Sequence, residues 1–418
     1  MKYTKVEKSW MLYDAANSAF SMIITTTIPI YFGMLISTYN PSVNDADITS
    51  FWGTITSVSI FILAVLTPLL GSLADYQGMK KRLFTISLII GVSGLLLLNF
   101  TKNLLVFIGL YIAARIGYAA CNVFYDSMLT DVTTDDRMDE VSANGYAAGY
   151  IGSCIPFVIG ILIIMLRPFG MDEIQAYITT FIITAFWWLA LSFPLLKNVK
   201  HVHYVEPQSL SIFDAFRRLK VTLGKIKSNK NLLFYILAYF FYIDGVYTII
   251  SMATIYGSEV GIDTISMIIA LLATQLVAFP CVIITGKFSK KIGSLKLLKG
   301  FIIFYIAICL FGFQLDKAWE FWVLAGAVGM VQGGIQAVSR SYFARIIPKH
   351  ESNEYFGFFD IFGKFADFLG PLFLSLSAVI FNASKYGILM LILLFGAGYI
   401  LLSKIDESSF AEETDQQQ

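Results

Sequence analysis

Apolar residues in this chain do not alternate with polar ones and do not form single helical stripes. They fill whole runs about twenty residues long, separated by short polar breaks. A bilayer core is about 30 Å thick and a helix rises 1.5 Å per residue, so about 20 apolar residues make one crossing. Such runs fall near 10–36, 51–74, 83–100, 104–128, 143–166 and 174–196, and again near 232–256, 264–286, 295–314, 319–343, 356–380 and 386–403. The pattern predicts an all-α membrane protein of twelve transmembrane helices in two pseudo-symmetric six-helix bundles. Residues 1–196 form the first bundle and 232–404 the second, with a hydrophilic linker at 197–231 and an acidic tail at 405–418. The opening "MKYTKVEK" resembles the start of a signal peptide, but the apolar run behind it outlasts an h-region and has no small-residue cleavage site, so it is read as the first span.

The polar positions set the orientation. With both termini on one side, that side receives 23 of the 30 Lys and Arg residues, which predicts cytoplasmic termini and a multi-pass protein of a bacterial plasma membrane. Within the linker, Ile212, Phe213, Phe216, Leu219 and Leu223 recur at helical spacing against Arg217, Arg218, Lys220, Lys225 and Lys227. This suits a helix lying on the inner leaflet, and equally a solvated linker helix.

Composition narrows the function. Only 14% of residues are charged and 57% are apolar, and the net charge of +1 leaves no basic surface for nucleic acid. The four cysteines lie inside apolar runs, so neither disulfides nor a zinc site is expected. There is no phosphate-binding G-x-x-x-x-G-K-S/T and no H-E-x-x-H, and the glycine cluster "GAVGMVQGG" lies in an apolar span with no strand before it. No cofactor, metal or enzymatic activity is expected, and the chain is read as a monomer.

One polar sentence is written twice. "GSLADYQGMKKR" at 71–82 and "GKFSKKIGSLK" at 286–296 both join the second and third spans of their half, with Gly71 and Gly78 spaced as Gly286 and Gly293 are. Matching positions at the ends of spans four and ten carry "YDSML" (125–129) and "SRSYF" (339–343). Two parallel repeats of six helices are a transporter architecture. In the first loop the glycines permit close approach, Asp75 can accept from a helix N-terminus, and Lys80, Lys81 and Arg82 are expected to hold the anionic leaflet.

That first loop, G-x-x-x-D-x-x-G-x-K-x-R, resembles the loop signature of the major facilitator superfamily. "SWMLYDAANSAF" (9–20), "YFFYIDGVYTI" (239–249), "QAVSRSYFARIIP" (336–348) and "EYFGFFDIFGKFADFLGP" (354–371) resemble the branch of fungal vacuolar amino-acid effluxers and their bacterial members. The chain departs from that branch at Ala15, where Trp is usual, and at Ile243 and Asp126, where Asn is usual. The resemblance implies the major facilitator fold, with spans one, four, seven and ten lining a central cavity.

Ionisable groups inside a bilayer cost about 2.5–3.5 kcal/mol each even on the lenient insertion scale, so they mark candidate sites. Asp244, near the middle of span seven, is assigned proton coupling, with Asp126 and Asp367 as further candidates. Arg115, Lys364, Asn17, Asp14, Gln332 and Tyr242 are assigned to substrate. The alternatives are an Arg115–Asp244 pair that only locks helices, a first-turn helix charge for Asp14, and an interfacial belt for the tyrosines. Asp360, Lys364 and Asp367 follow at i, i+4 and i+7, a substrate or proton ladder or a self-neutralising one. Gly71, Asp75, Gly78, Lys80, Arg82 and Arg340 are assigned to the loop motif and gate, with Asp126 and Arg340 as opposite charges at equivalent positions. The expected protein is a proton-coupled secondary transporter of a small polar organic solute, with amino acids or related carboxylates implied by the resemblance. An exporter of neutral or cationic solutes is the alternative, and a channel is the alternative of another class.

Overall fold

In a computed structural model, the structure describes residues 2–39, 43–101, 103–206, 212–259, 261–315, 317–365, 369–381 and 385–407. They form fifteen α-helices: α1 (Lys5–Tyr39), α2 (Asp45–Ala74), α3 (Met79–Leu97), α4 (Leu104–Ser127), α5 (Leu129–Val132), α6 (Met138–Leu166), α7 (Glu173–Asn198), α8 (Ile212–Ser228), α9 (Lys230–Glu259), α10 (Thr264–Ile292), α11 (Ser294–Phe313), α12 (Ala318–Ile346), α13 (Ser352–Phe365), α14 (Leu369–Phe381) and α15 (Lys385–Ser403). Among the described residues, eleven stretches of helix are long and apolar enough to cross a membrane. The expected third span falls on α3, whose first turn carries Lys80, Lys81 and Arg82, so its 19 residues hold too many cations to count among them.

The chain divides into two compact units. Unit 1 is Met1–Thr133, Ala148–Leu210 and His350–Gly357; unit 2 is Thr134–Ala147, Ser211–Lys349 and Phe358–Gln418. The boundaries differ from a simple cut at the linker. The first turns of α6 pack with unit 2 and the first turn of α13 packs with unit 1, and hydrogen bonds described below show why.

In unit 1, aromatic rings fill the space between α1, α4 and α7. Trp10 stacks on Tyr125 with centroids 4.5 Å apart, and Phe20 lies 4.9 Å from Trp188. Buried rings of this size contribute most of the apolar burial that orders such a bundle. In unit 2 the same role falls to Tyr239 on Phe359 at 3.8 Å and Tyr305 on Phe395 at 5.3 Å. The linker opens as an extended segment pinned to unit 1: the Val205 N–H donates to the Asp75 carbonyl (2.9 Å), and the Gln77 N–H donates to the Val205 carbonyl (3.1 Å). Helix α8 follows. It buries Ala215, Thr222 and Ile226 and leaves Phe216, Val221 and Leu223 exposed, so its apolar surface is wider than the stripe that packs on the protein.

Candidate functional site

The duplicated loop is built in unit 1 around Asp75, which is fully buried. Its Oδ1 accepts from the Asn353 N–H (2.9 Å) and the Asn353 Nδ2 (2.7 Å), and its Oδ2 accepts from the Glu354 N–H (3.0 Å). These donors sit in the first turn of α13, where backbone N–H groups have no partner inside the helix and the helix dipole favours an anion. Gly71 makes the approach possible, because a Cβ there would lie 2.3 Å from the Asn353 carbonyl oxygen. Gly78 adopts φ 75° at the turn into α3. Burial pushes the Asp75 carboxyl up to about 7, against the pull of Lys80 and the Asn353 donors and with a further push from Glu354.

The cations of this loop do not act as expected. Lys80 is turned inward with no exposed surface and pairs with the equally buried Asp131 at 2.6 Å, with Ser352 Oγ at 3.4 Å. Asp131 also accepts from the Val202 N–H (3.1 Å) and the His203 N–H (2.9 Å). Lys81 reaches the Val199 carbonyl at 3.4 Å, and of the three cations only Arg82 remains exposed. A cation cluster in sequence gives no sign of which member turns inward.

The second copy, in unit 2, reverses the chemistry. Ser289 and Ser294 donate to Asp139 Oδ2, the latter at 2.7 Å, while Ser341 and Arg345 (3.1 Å) bind Oδ1. Lys290, in the place of Asp75, lies 3.8 Å from the exposed Asp136. The start of α6 thus supplies the acid and the loop supplies donors. Within unit 2, Arg340 is engaged by the start of α6. Its Nε and Nη2 donate to Ser142 Oγ and O, both at 3.0 Å, and its guanidinium lies 4.3 Å from the Tyr146 ring centroid. Asp126 is partly exposed on α4.

Among the span residues, Asp244 is the most informative. It is fully buried, and its carboxylate accepts from the Leu369 N–H (3.1 Å), the Gly370 N–H (2.9 Å) and the Thr248 hydroxyl (3.3 Å). Leu369 and Gly370 are the first described residues of α14, so a carboxylate on α9 is tied directly to the backbone of the eleventh span. Gly370 is required here, since a Cβ would lie 1.9 Å from Thr248 Oγ1. Asp367 lies outside the described residues. Lys364 pairs with Asp360 on the same face of α13, as the i, i+4 spacing implies.

In unit 1, Asp14 accepts from the Tyr125 hydroxyl (2.8 Å), and Asn17 donates through Nδ2 to Asn122 Oδ1. The Asn17 Oδ1 is buried without a hydrogen-bond partner among the described residues, an acceptor held ready for a donor. Arg115 donates to the Tyr111 hydroxyl (3.3 Å) and lies over its ring. Tyr242 is fully buried and its hydroxyl is bonded to Ser339 Oγ at 2.6 Å, which braces α9 against α12. Gln332 is buried and borders a cavity within unit 2. Asn122 was not legible in the sequence, because nothing local marks its pairing with a residue 105 positions away. Among the described residues no group of His, Cys, Asp and Glu has the arrangement of a metal site.

Solved structures of the major facilitator class share this fold. The crystal structure of the human organic anion transporter MFSD10 aligns with a TM-score of 0.71 at 14% identity, covering 95% of this chain and 99% of that one. The transporter FucP in its outward conformation aligns with a TM-score of 0.71, also at 14% identity, covering 96% and 98%. The fold is therefore that of major facilitator transporters, multi-pass integral membrane proteins rather than enzymes. Residues 4–415 match the family model described as "Vacuole effluxer Atg22 like", and the chain belongs to that family. It is 40% identical over 422 residues to the uncharacterized MFS-type transporter YxiO of Bacillus subtilis (strain 168), covering 100% of this chain and 98% of the relative. Autophagy-related protein 22 of Saccharomyces cerevisiae (strain ATCC 204508 / S288c) is 21% identical over 435 residues, covering 88% of this chain and 80% of that protein.

Proposed function

We propose that this transporter moves a small polar organic solute, an amino acid or a related carboxylate, by alternating access driven by protons, from a bacterial plasma membrane with both termini cytoplasmic. The observation that supports this reading is the bond of the Asp244 carboxylate to the Leu369 and Gly370 N–H groups of α14. A carboxylate on one helix that holds backbone N–H groups of another couples its own charge to the position of that second helix. Proton arrival at Asp244 weakens the grip on the Leu369 and Gly370 N–H groups, and proton departure restores it.

Binding is assigned to Arg115 and Asn17. A guanidinium grips a carboxylate through two parallel hydrogen bonds, and the unpartnered Asn17 Oδ1 accepts from an ammonium or hydroxyl of the solute. Lys364 is assigned to the same task once it leaves Asp360.

The test uses the full chain in proteoliposomes with an imposed pH gradient and radiolabelled amino acids. Asp244→Asn is expected to abolish gradient-driven uptake while solute counter-exchange persists. Driven uptake in the variant would move the coupling proton to another acid. Calorimetry with an amino acid and its amide tests the clamp, and equal affinity for the two would remove the carboxylate from the reading.

A further inference from the structure

Unit 2 contains a cavity of about 90 Å³ between α9, α10, α11, α12, α14 and α15. Its walls are mostly aliphatic and aromatic, with Thr248, Tyr256, Thr274, Gln275 and Gln332 as polar members. Small-molecule sites have the same character, mainly apolar with a few placed polar groups.

Hydrogen-bond accounting shows what is left for a ligand. Tyr256 gives its hydroxyl proton to the Gly312 carbonyl (2.8 Å), Thr274 to the Ala270 carbonyl (2.8 Å), and Thr248 to Asp244 (3.3 Å). Gln275 differs: its Oε1 is buried and has no partner among the described residues. A buried carbonyl oxygen left unsatisfied costs about 1–3 kcal/mol, so a donor placed beside it is favoured.

We propose that this cavity is a binding site for one apolar molecule carrying a single hydrogen-bond donor, its body among the aliphatic walls and its donor on Gln275 Oε1. The site lies wholly within unit 2 and counts Gln332, a residue assigned to substrate from the sequence, among its walls. Its occupant bears on the transport machinery: Thr248 is at once a cavity wall and a donor to Asp244, and Leu374 of α14 forms another part of the wall.

Indole and indene test it, since the two bicycles are nearly the same in shape and only indole has an N–H. Binding is measured by equilibrium dialysis against the full chain in lipid nanodiscs, with empty nanodiscs as the blank for partition into lipid. Wild-type protein is expected to bind indole saturably and about five-fold more tightly than indene, the discrimination of one hydrogen bond. Gln275→Leu should bring indole down to the affinity of indene and leave indene bound. Ala325→Phe or Ala253→Phe, which project into the cavity from different helices, should abolish both. Absence of saturable binding to wild type, equal affinities for the two probes, or full binding by both filled variants would each overturn the proposal.

Discussion

Asp75 and Asp139 are both buried carboxylates that close a junction between a loop and the start of a helix, and they do so with opposite polarity. Asp75 belongs to the loop and accepts from the first turn of α13. Asp139 belongs to the first turn of α6 and accepts from Ser289 and Ser294 on either side of the loop. The duplicated motif therefore preserves a geometry while exchanging which side carries the charge. These two junctions also explain why a few residues of α6 and of α13 pack with the unit they bond to.

The Asp75 carboxyl gives a pH signature. Its folded value of about 7 exceeds the ordinary 3.8, so between those limits the folded protein holds a proton that the unfolded chain releases. The contribution of this group to stability is therefore greatest at low pH and falls as pH rises through the window, levelling off above about 7. Melting temperatures of the wild type and Asp75→Asn, measured from about pH 5 to about pH 8, should converge in slope above the window and differ within it. Parallel curves throughout would refute the assignment.

The Lys80–Asp131 pair should respond unequally to loss of its two members. Breaking a buried ion pair costs about 3–5 kcal/mol when the remaining charge has no other partner. Asp131 without Lys80 keeps the Val202 and His203 N–H donors, whereas Lys80 without Asp131 keeps Ser352 Oγ at 3.4 Å and the nearby Asp75 carboxyl, which burial pushes toward its neutral form. Asp131→Asn is thus expected to destabilise more than Lys80→Met in denaturant titrations, and the reverse order would contradict the geometry.

Close approach at α14 predicts a contrast between two glycines. Gly370→Ala sets a methyl group into Thr248 and should lower stability by about 1–3 kcal/mol, with loss of transport. Gly396→Ala meets nothing within 4 Å and should be tolerated. Comparable melting temperatures for the two variants would show that α14 shifts freely.

The extended start of the linker offers a local measurement. Val205→Pro removes the N–H that donates to the Asp75 carbonyl, and the pairing that protects the Gln77 amide should fail with it. Hydrogen exchange at Gln77 is expected to accelerate at least ten-fold, about 1.4 kcal/mol of lost protection. Unchanged exchange would mean the segment is held by other contacts.

What the sequence could reveal followed from distance along the chain. Apolar runs fix helices, and the Asp360–Lys364 pair follows from a spacing of four on one helix. The repeat marked both loop junctions, and Asp75 as a helix acceptor followed from its chemistry. The inward turn of Lys80, the bond from Tyr242 to Ser339 and the hold of Asp244 on the α14 backbone join residues 51, 97 and more than 120 positions apart. Such pairings depend on how helices face one another. A lysine beside two other cations, or a tyrosine in an aromatic-rich span, has the same local pattern whether it turns in or out.

The reversed polarity also limits interchange between the two halves. Grafting 71–82 onto the positions that begin at Gly286 would bring Ala74 to the place of Ser289 and Met79 to the place of Ser294. Asp139 would lose both hydroxyl donors, and the transplanted Asp75 would stand where Lys290 now meets Asp136, setting acid against acid. Segments that look like copies have become lock and key to different partners, so a chimera made by swapping them should misassemble even though every helix it contains is native.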